Sequence, residues 1–178
     1  MYRPNYSKDN IDNIVLQRDG KIVVAGTSWI DALIARYNSD GSFDNSFGNG
    51  NGWVRQSFTG VGGCRGLALQ ADSKIVLLAA EGDNYSYLFR YKTDGTKDSS
   101  FGVNGKIVTN AVDHEQLQDI ALQEDGKIIL AGLAYEEVAI LVRYNHDGSL
   151  DETFGDHGKI LTDLAADYNF YYSQARAV

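Results

Sequence analysis

The chain has 178 residues, 43% of them hydrophobic and 22% charged, a balance that supports a folded domain and excludes wholesale disorder. Its formal charge of -8, with no cluster of Lys or Arg, argues against nucleic acid or an anionic membrane surface as the main partner. One cysteine, Cys64, rules out an intramolecular disulfide and any Cys-x-x-Cys metal site, and the reading here is an inert, half-buried thiol.

Taken in chain order, the N-terminal "MYRPNYSKDN" carries neither the basic region nor the apolar run of a signal peptide, and no apolar run reaches the roughly 18 residues of a membrane helix. A soluble chain with no membrane insertion is expected. "IVLQ" then reads as a strand that ends at the Asp19-Gly20 turn, a strong hairpin signal. "KIVVA" follows as a short β-branched run, apolar on both alternating faces, which predicts a strand buried on both sides. After the polar "TSWIDA" comes a third strand, "ALIARYN". The loop "NSDGSFDNSFG" leads to a fourth strand, "GWVRQSF", and the glycine-rich "GVGGCRG" at Gly60 to Gly66 reads as a flexible inter-blade loop.

The same order then recurs. "LQRDGKIVVAG", "LQADSKIVLLA" and "LQEDGKIILAG" place Gln17, Gln70 and Gln123 at intervals of 53 residues. Arg36, Arg90 and Arg143 each precede a phenylalanine, Phe47, Phe101 and Phe154, by 11 residues. Four short antiparallel strands per repeat are the grammar of a β-propeller blade. The fold class expected is therefore all-β: three four-stranded antiparallel blades of about 53 residues in a partial or oligomer-completed ring, within one repeat domain over 1–178. Blade one spans about 11–63, blade two about 64–116 and blade three about 117–171. Residues 172–178, containing "QARAV", open a further blade strand.

The two blocks, near "A-x-Q-x-D-G-K-I-V-V-A-G" and "R-Y-N-x-D-G-S-x-D-x-x-F-G", resemble the delta-60 repeat family of bacterial β-propeller-like repeats. That resemblance implies the fold and a setting in large exported or surface proteins, hence an extracellular or cell-surface location. Copy two departs from the pattern at Ser73, Ala79 and Lys92, so blade two should be the least regular.

Each acidic loop has the outline of a calcium site, yet Asn38, Asp40 and Asp44 have the wrong spacing for an EF-hand and no Glu closes the loop. The structural alternative is a β-turn at Asp-Gly followed by a helical turn. Ser42 would cap that turn, Asp44 would accept backbone N–H bonds and Phe47 would plug the space between blades. An arginine in an apolar strand needs a partner, and Asp44, Asp98 and Asp151 recur eight residues after Arg36, Arg90 and Arg143. A repeated ion pair clipping each loop to its blade is expected. His114, His146 and His157 occupy unrelated repeat positions and read as surface residues; no nucleotide or hydrolase motif is present, and no cofactor or metal is expected.

In an up-and-down blade the first and third connections share one face and the second and fourth share the other. The repeated turns are the first and third, so the segments that differ between copies collect on the opposite face. That face carries Trp29, Tyr85, Tyr87, Tyr135, Tyr168, Phe170, Tyr171 and Tyr172 with the acids Asp31, Glu81, Asp83, Glu136 and Glu137. Trp29, Asp31, Tyr85, Tyr87, Tyr135 and Glu136 are the candidate ligand residues, with rings to stack on sugars or anchor a protein. The reading is a non-catalytic module of a larger secreted or surface bacterial protein, binding protein or glycan, with a homo-oligomer as one way to complete the ring. Two other readings stay open: a propeller lyase or hydrolase using Asp31 or Glu136 as general acid or base, and a purely structural array.

Overall fold

The computed structural model describes residues 9–60, 62–82, 85–110, 112, 115–135 and 138–163. Within them three four-stranded antiparallel sheets follow one another, each in chain order. The first holds β1 (Asp9–Leu16), β2 (Ile22–Ser28), β3 (Asp31–Tyr37) and β4 (Trp53–Gln56). The second holds β5 (Gly62–Leu69), β6 (Ile75–Glu81), β7 (Tyr85–Tyr91) and β8 (Lys106–Thr109). The third holds β9 (Gln116–Leu122), β10 (Ile128–Leu133), β11 (Ala139–Tyr144) and β12 (Lys159–Thr162). Three propeller blades, arranged as a ring segment that does not close, are the architecture the repeats predict. The opening of a further blade at 172–178 lies outside the described residues.

Alternation on the strands builds the core between blades. Val23, Ala25 and Ile34 face Ile75, Leu77 and Phe89 to form one cluster, and Val76, Leu78 and Leu88 on the reverse of blade two face Ile128, Leu130 and Val142 to form the other. Blade two is thus covered on both sides, which is why β6 is apolar at successive positions. It is also as regular as its neighbours, contrary to the expectation from its altered residues. Ser73 adopts φ 65 where the other copies use Gly20 and Gly126, and the Asp72 carboxylate accepts the Lys74 N–H at 3.2 Å to hold the turn.

The acidic loops are scaffold. Arg36, Arg90 and Arg143 donate from Nε to Asp44, Asp98 and Asp151 at 2.7, 2.9 and 2.7 Å, the clip expected from their spacing. Lys21, Lys74 and Lys127 from the strand-opening turn reach the same carboxylates at 2.8, 3.2 and 3.0 Å. Each guanidinium lies over the phenylalanine that ends its loop, at 4.7, 4.5 and 4.3 Å from the ring centre. Ser42 does not cap the second turn. Its hydroxyl and N–H both donate to Asp40 Oδ1, closing the first turn, and the cap is Asp44, whose Oδ1 accepts from Ser46 N and Oγ. Phe47 fills the space between blades as expected and is fully buried.

Candidate functional site: the variable face

The second and fourth connections do meet on one side of the blades. The Gly62 N–H donates to the Ile30 carbonyl at 3.0 Å, and Glu81 Oε1 accepts from the Thr59 N–H, the Thr59 hydroxyl and the Gly60 N–H, each at 2.7 Å. The bond from the Thr59 hydroxyl and that from the Gly60 N–H hold the Glu81 carboxyl below its ordinary range. Asp31 does parallel work one blade earlier: it is buried at the start of β3 and accepts from the Phe58 N–H, the Ser57 hydroxyl and Arg55. These two acids anchor the strap that carries the chain from blade one to blade two. Sequence reading placed Asp31 among ligand residues, and the structure places it in this anchor.

The aromatic candidates divide. Trp29, Tyr85 and Tyr135 are 70, 57 and 65% exposed, whereas Tyr87 is 7% exposed. The Tyr87 ring belongs to the core between blades one and two, under the Lys106 ammonium at 3.9 Å, and its hydroxyl donates to Glu81 at 3.2 Å. It supports Tyr85, whose ring is stacked on it with centroids 6.4 Å apart, and does not itself face solvent. Glu136 lies outside the described residues, as do Asp83, Glu137, Tyr168, Phe170, Tyr171 and Tyr172.

Trp29 is held in an unfavourable backbone. Ser28 pairs with Asp31, so Trp29 and Ile30 alone make the β2–β3 turn, and Trp29 sits at φ 61. Blade two opens its corresponding turn with Gly82 at φ 63. A bulky residue in the left-handed region costs about 1–2 kcal/mol, which glycine avoids. Trp29→Gly is therefore expected to leave thermal stability unchanged or raise it slightly in a melting experiment, although it deletes the largest side chain on this face.

Two clefts open between successive blades here. One, of about 670 Å³, is lined by Asn10, Thr27, Trp29, Gly63, Arg65 and Gly82. The second, of about 240 Å³, is lined by Arg65, Gly82, Tyr85, Ser86, Glu115 and Gln118. Arg65 therefore stands on the wall between them, and its guanidinium makes no hydrogen bond or ion pair among the described residues. Its position has a structural cause. Cys64 pairs with Ala79 and Gly66 with Leu78, which leaves Arg65 as the extra residue of a β-bulge in β5. Blade one has the same bulge at Asp12 and blade three at Gln118, all 53 residues apart. Bulges redirect side chains, and here three chemically different ones are redirected at one level of three strands. Sequence reading missed Arg65 because it took "GVGGCRG" for a loop. The segment from Gly62 onward is strand, and its glycines answer to close packing: a Cβ on Gly62 would run into the Phe58 ring, and one on Gly63 would meet Thr27 Oγ1 at 2.6 Å. The signal available was the 53-residue register with Asp12 and Gln118.

Beside Arg65, Cys64 is buried rather than half-buried. Its thiol is pushed up to about 12 by burial and, secondarily, by the Asp12 charge, while Asn13 Nδ2 donates to Sγ at 3.4 Å. A thiol so rarely ionised at neutral pH is a poor nucleophile. Native protein should resist a thiol-reactive reagent such as iodoacetamide, and one equivalent should be taken up only in denaturant, as mass spectrometry would record. His146 and His157 are exposed and His114 lies outside the described residues. Among the described residues no group of three His, Cys, Asp or Glu side chains converges as metal ligands do.

Comparison with known proteins bears on the scaffold. A solved protein of unknown function from Bacteroides caccae, determined at 1.35 Å, superposes with a TM-score of 0.55 at 10% identity; at that identity the likeness speaks for the fold alone. The match covers 90% of this chain and 49% of the other, so this chain spans about half the length of that protein. No curated protein matches it. The family described as a domain of unknown function (DUF5122) beta-propeller matches residues 17–47, 70–101 and 123–154, one segment for each blade and together more than half of the sequence. Each segment runs from the repeated glutamine through the arginine to the plugging phenylalanine, and the chain belongs to the DUF5122 beta-propeller family.

Proposed function

We propose that the chain is a non-catalytic binding module and that its ligand, a glycan, lies across the variable face from Trp29 over Arg65 to Tyr85. The observation that carries this reading is Trp29 itself. A bulky ring occupies, 70% exposed and at positive φ, the turn position that blade two gives to glycine. A strained, solvent-facing aromatic residue on the side where the copies differ supports selection for contact rather than for folding. The surrounding chemistry suits a sugar chain: aromatic faces for C–H surfaces, a guanidinium with no hydrogen bond or ion pair among the described residues, and the amides of Gln116 and Gln118 for hydroxyls. The neighbouring acids Asp31 and Glu81 already accept several hydrogen bonds each from the inter-blade strap, which supports a binding role over acid–base catalysis. The delta-60 resemblance of the motifs supports placing the module in a larger secreted or surface bacterial protein.

A glycan array followed by titration calorimetry tests the reading. Wild type should bind a defined glycan, and Trp29→Gly and Arg65→Ala should each abolish or sharply weaken that binding while keeping the native melting transition. Undiminished binding by both variants would remove the site from this face. Consumption of the bound glycan would replace the module with an enzyme.

A further inference from the structure

The two joints between successive blades are made by the same contacts. Where blade one meets blade two, Arg36 Nη1 donates to the Thr93 carbonyl, the Gly48 N–H donates to the Asp94 carbonyl at 2.9 Å, and the Phe47 ring rests where a Cβ on Gly95 would come within 2.9 Å of it. Where blade two meets blade three the same contacts recur one register on. Arg90 Nη1 donates to the His146 carbonyl at 2.6 Å, the Gly102 N–H donates to the Asp147 carbonyl at 3.2 Å, and the Phe101 ring lies 2.9 Å from a Cβ on Gly148.

Advancing the register once more leaves Arg143, Phe154 and Gly155 as the donor half and Ser39, Asp40 and Gly41 as the acceptor half. Among the described residues neither half is covered by a further blade. Phe154 is partly exposed where Phe47 and Phe101 are fully buried. The Arg143 side chain is 18% exposed against 5% for Arg36 and 2% for Arg90, and its Nη1 turns back to Gln123 Oε1 at 3.3 Å. Among the described residues nothing lies within 4 Å of the Gly41 Cβ position. The sheet surfaces follow suit. Leu33, Ala35 and Tyr37 are half-buried where their blade-two counterparts Tyr87, Phe89 and Tyr91 are core, and Ile129 and Leu141 are half-buried where Val76 and Leu88 are core. On blade one, Val24, Leu33, Tyr37, Phe43 and Trp53 line an apolar groove of about 610 Å³.

We infer that the blade-three face of one copy of this chain docks head-to-tail on the blade-one face of a second copy, repeating the internal joint with Arg143 on the Ser39 carbonyl, the Gly155 N–H on the Asp40 carbonyl and Phe154 on Gly41. The occupant is argued from the molecule: the surface that fits the groove is carried at the other end of the same chain, in the geometry its own two joints use. Heterologous contacts of this kind close into rings when the rotation permits.

Two substitutions at half-buried strand positions separate the halves. Leu33→Lys disables the blade-one face and leaves the blade-three face intact; Leu141→Glu does the reverse. By light scattering the wild-type chain should have the mass of two copies and each variant alone the mass of one. An equimolar mixture of the variants should give a one-to-one dimer, held through the single joint that still has both halves. Gly41→Asn serves as a second test, since asparagine tolerates the left-handed turn while its side chain fills the socket for Phe154; it should weaken dimerisation about tenfold or more, a loss of about 1.4 kcal/mol or more. All variants are checked for a cooperative native melt. A wild-type chain that stays monomeric at the highest concentration reached would overturn the inference. So would folded variants that each still dimerise alone, or a folded mixture that stays monomeric.

Discussion

Replacing Arg90 by methionine should lower the free energy of unfolding by about 3–5 kcal/mol, the usual penalty for removing one partner of a buried ion pair. Arg90 is 2% exposed and holds three things at once: the Asp98 carboxylate, the Ser100 hydroxyl at 3.2 Å and the His146 carbonyl of the next blade. Methionine keeps much of the contact with Phe101 and loses every bond, leaving Asp98 buried with Lys74 as its remaining cation. Arg143→Met makes the control. In the Leu141→Glu background, which keeps the blade-three face free, that side chain is partly exposed and among the described residues bonds only within its own blade, so a cost smaller than that of Arg90→Met by about 1 kcal/mol or more is expected. Urea denaturation at neutral pH measures both, and equal costs would show that the inter-blade bond contributes nothing.

The same clip sets the acid limit. Asp44, Asp98 and Asp151 are all held well below the ordinary carboxylate range. For Asp98 burial pushes the other way and is outweighed by hydrogen bonds from Ser100 and Lys74 and by the Arg90 charge; for Asp151 the Thr153 hydroxyl leads, followed by Lys127. A depressed folded value means that the unfolded chain takes up the proton first. This stability is complete above the unfolded value of about 4 and is lost as pH falls below it. In Arg90→Met the folded value of Asp98 returns toward normal. The gap between wild type and variant should therefore narrow as pH falls from about 5 toward 3.

The blades were legible because the clip is written in the chain three times. Arginine, aspartate and phenylalanine keep fixed separations, and a guanidinium in an apolar strand has to be paired, so the spacing names the partner. Lys21, Lys74 and Lys127 were not legible in that way: they join the clip across two strands, where sequence distance carries no contact information. The candidate site was legible only in part. Turn order assigned the variable face, and Trp29, Tyr85 and Tyr135 do stand exposed on it. But alternation along "YSYLFRY" does not tell Tyr85 from Tyr87, because residues two apart share one face of a strand; Tyr85 stands exposed at the strand's first position, while Tyr87 lies in the core between blades. Arg65 escaped for a related reason. A bulge adds one residue to one strand, and its effect on side-chain direction is visible only once the partner strand is in register.

Gly95→Ala and Gly41→Ala form a pair whose difference isolates what a neighbouring blade contributes. Both glycines end the same turn at nearly the same backbone angle, φ 85 and φ 84, so the left-handed conformation costs alanine about 1–2 kcal/mol at either place. At Gly95 the added Cβ would also come within 2.9 Å of the Gly48 nitrogen and of the Phe47 ring, whose own position is fixed by Arg36 above it. Backbone cannot move aside as a side-chain tip can, and overpacking of this kind adds about 1–3 kcal/mol. Gly95→Ala should therefore be the more destabilised of the two, by about 1–3 kcal/mol in urea titrations, when both are measured in the Leu141→Glu background that leaves the Gly41 socket empty. Equal losses would mean that the joint yields to a methyl group and is looser than its bonds imply. In the background with both faces intact the comparison changes character, because a Phe154 ring arriving from a second copy would meet the Gly41→Ala methyl as Phe47 meets that of Gly95→Ala. The two variants should then converge as protein concentration rises, and the concentration at which they do so reports the strength of the head-to-tail joint.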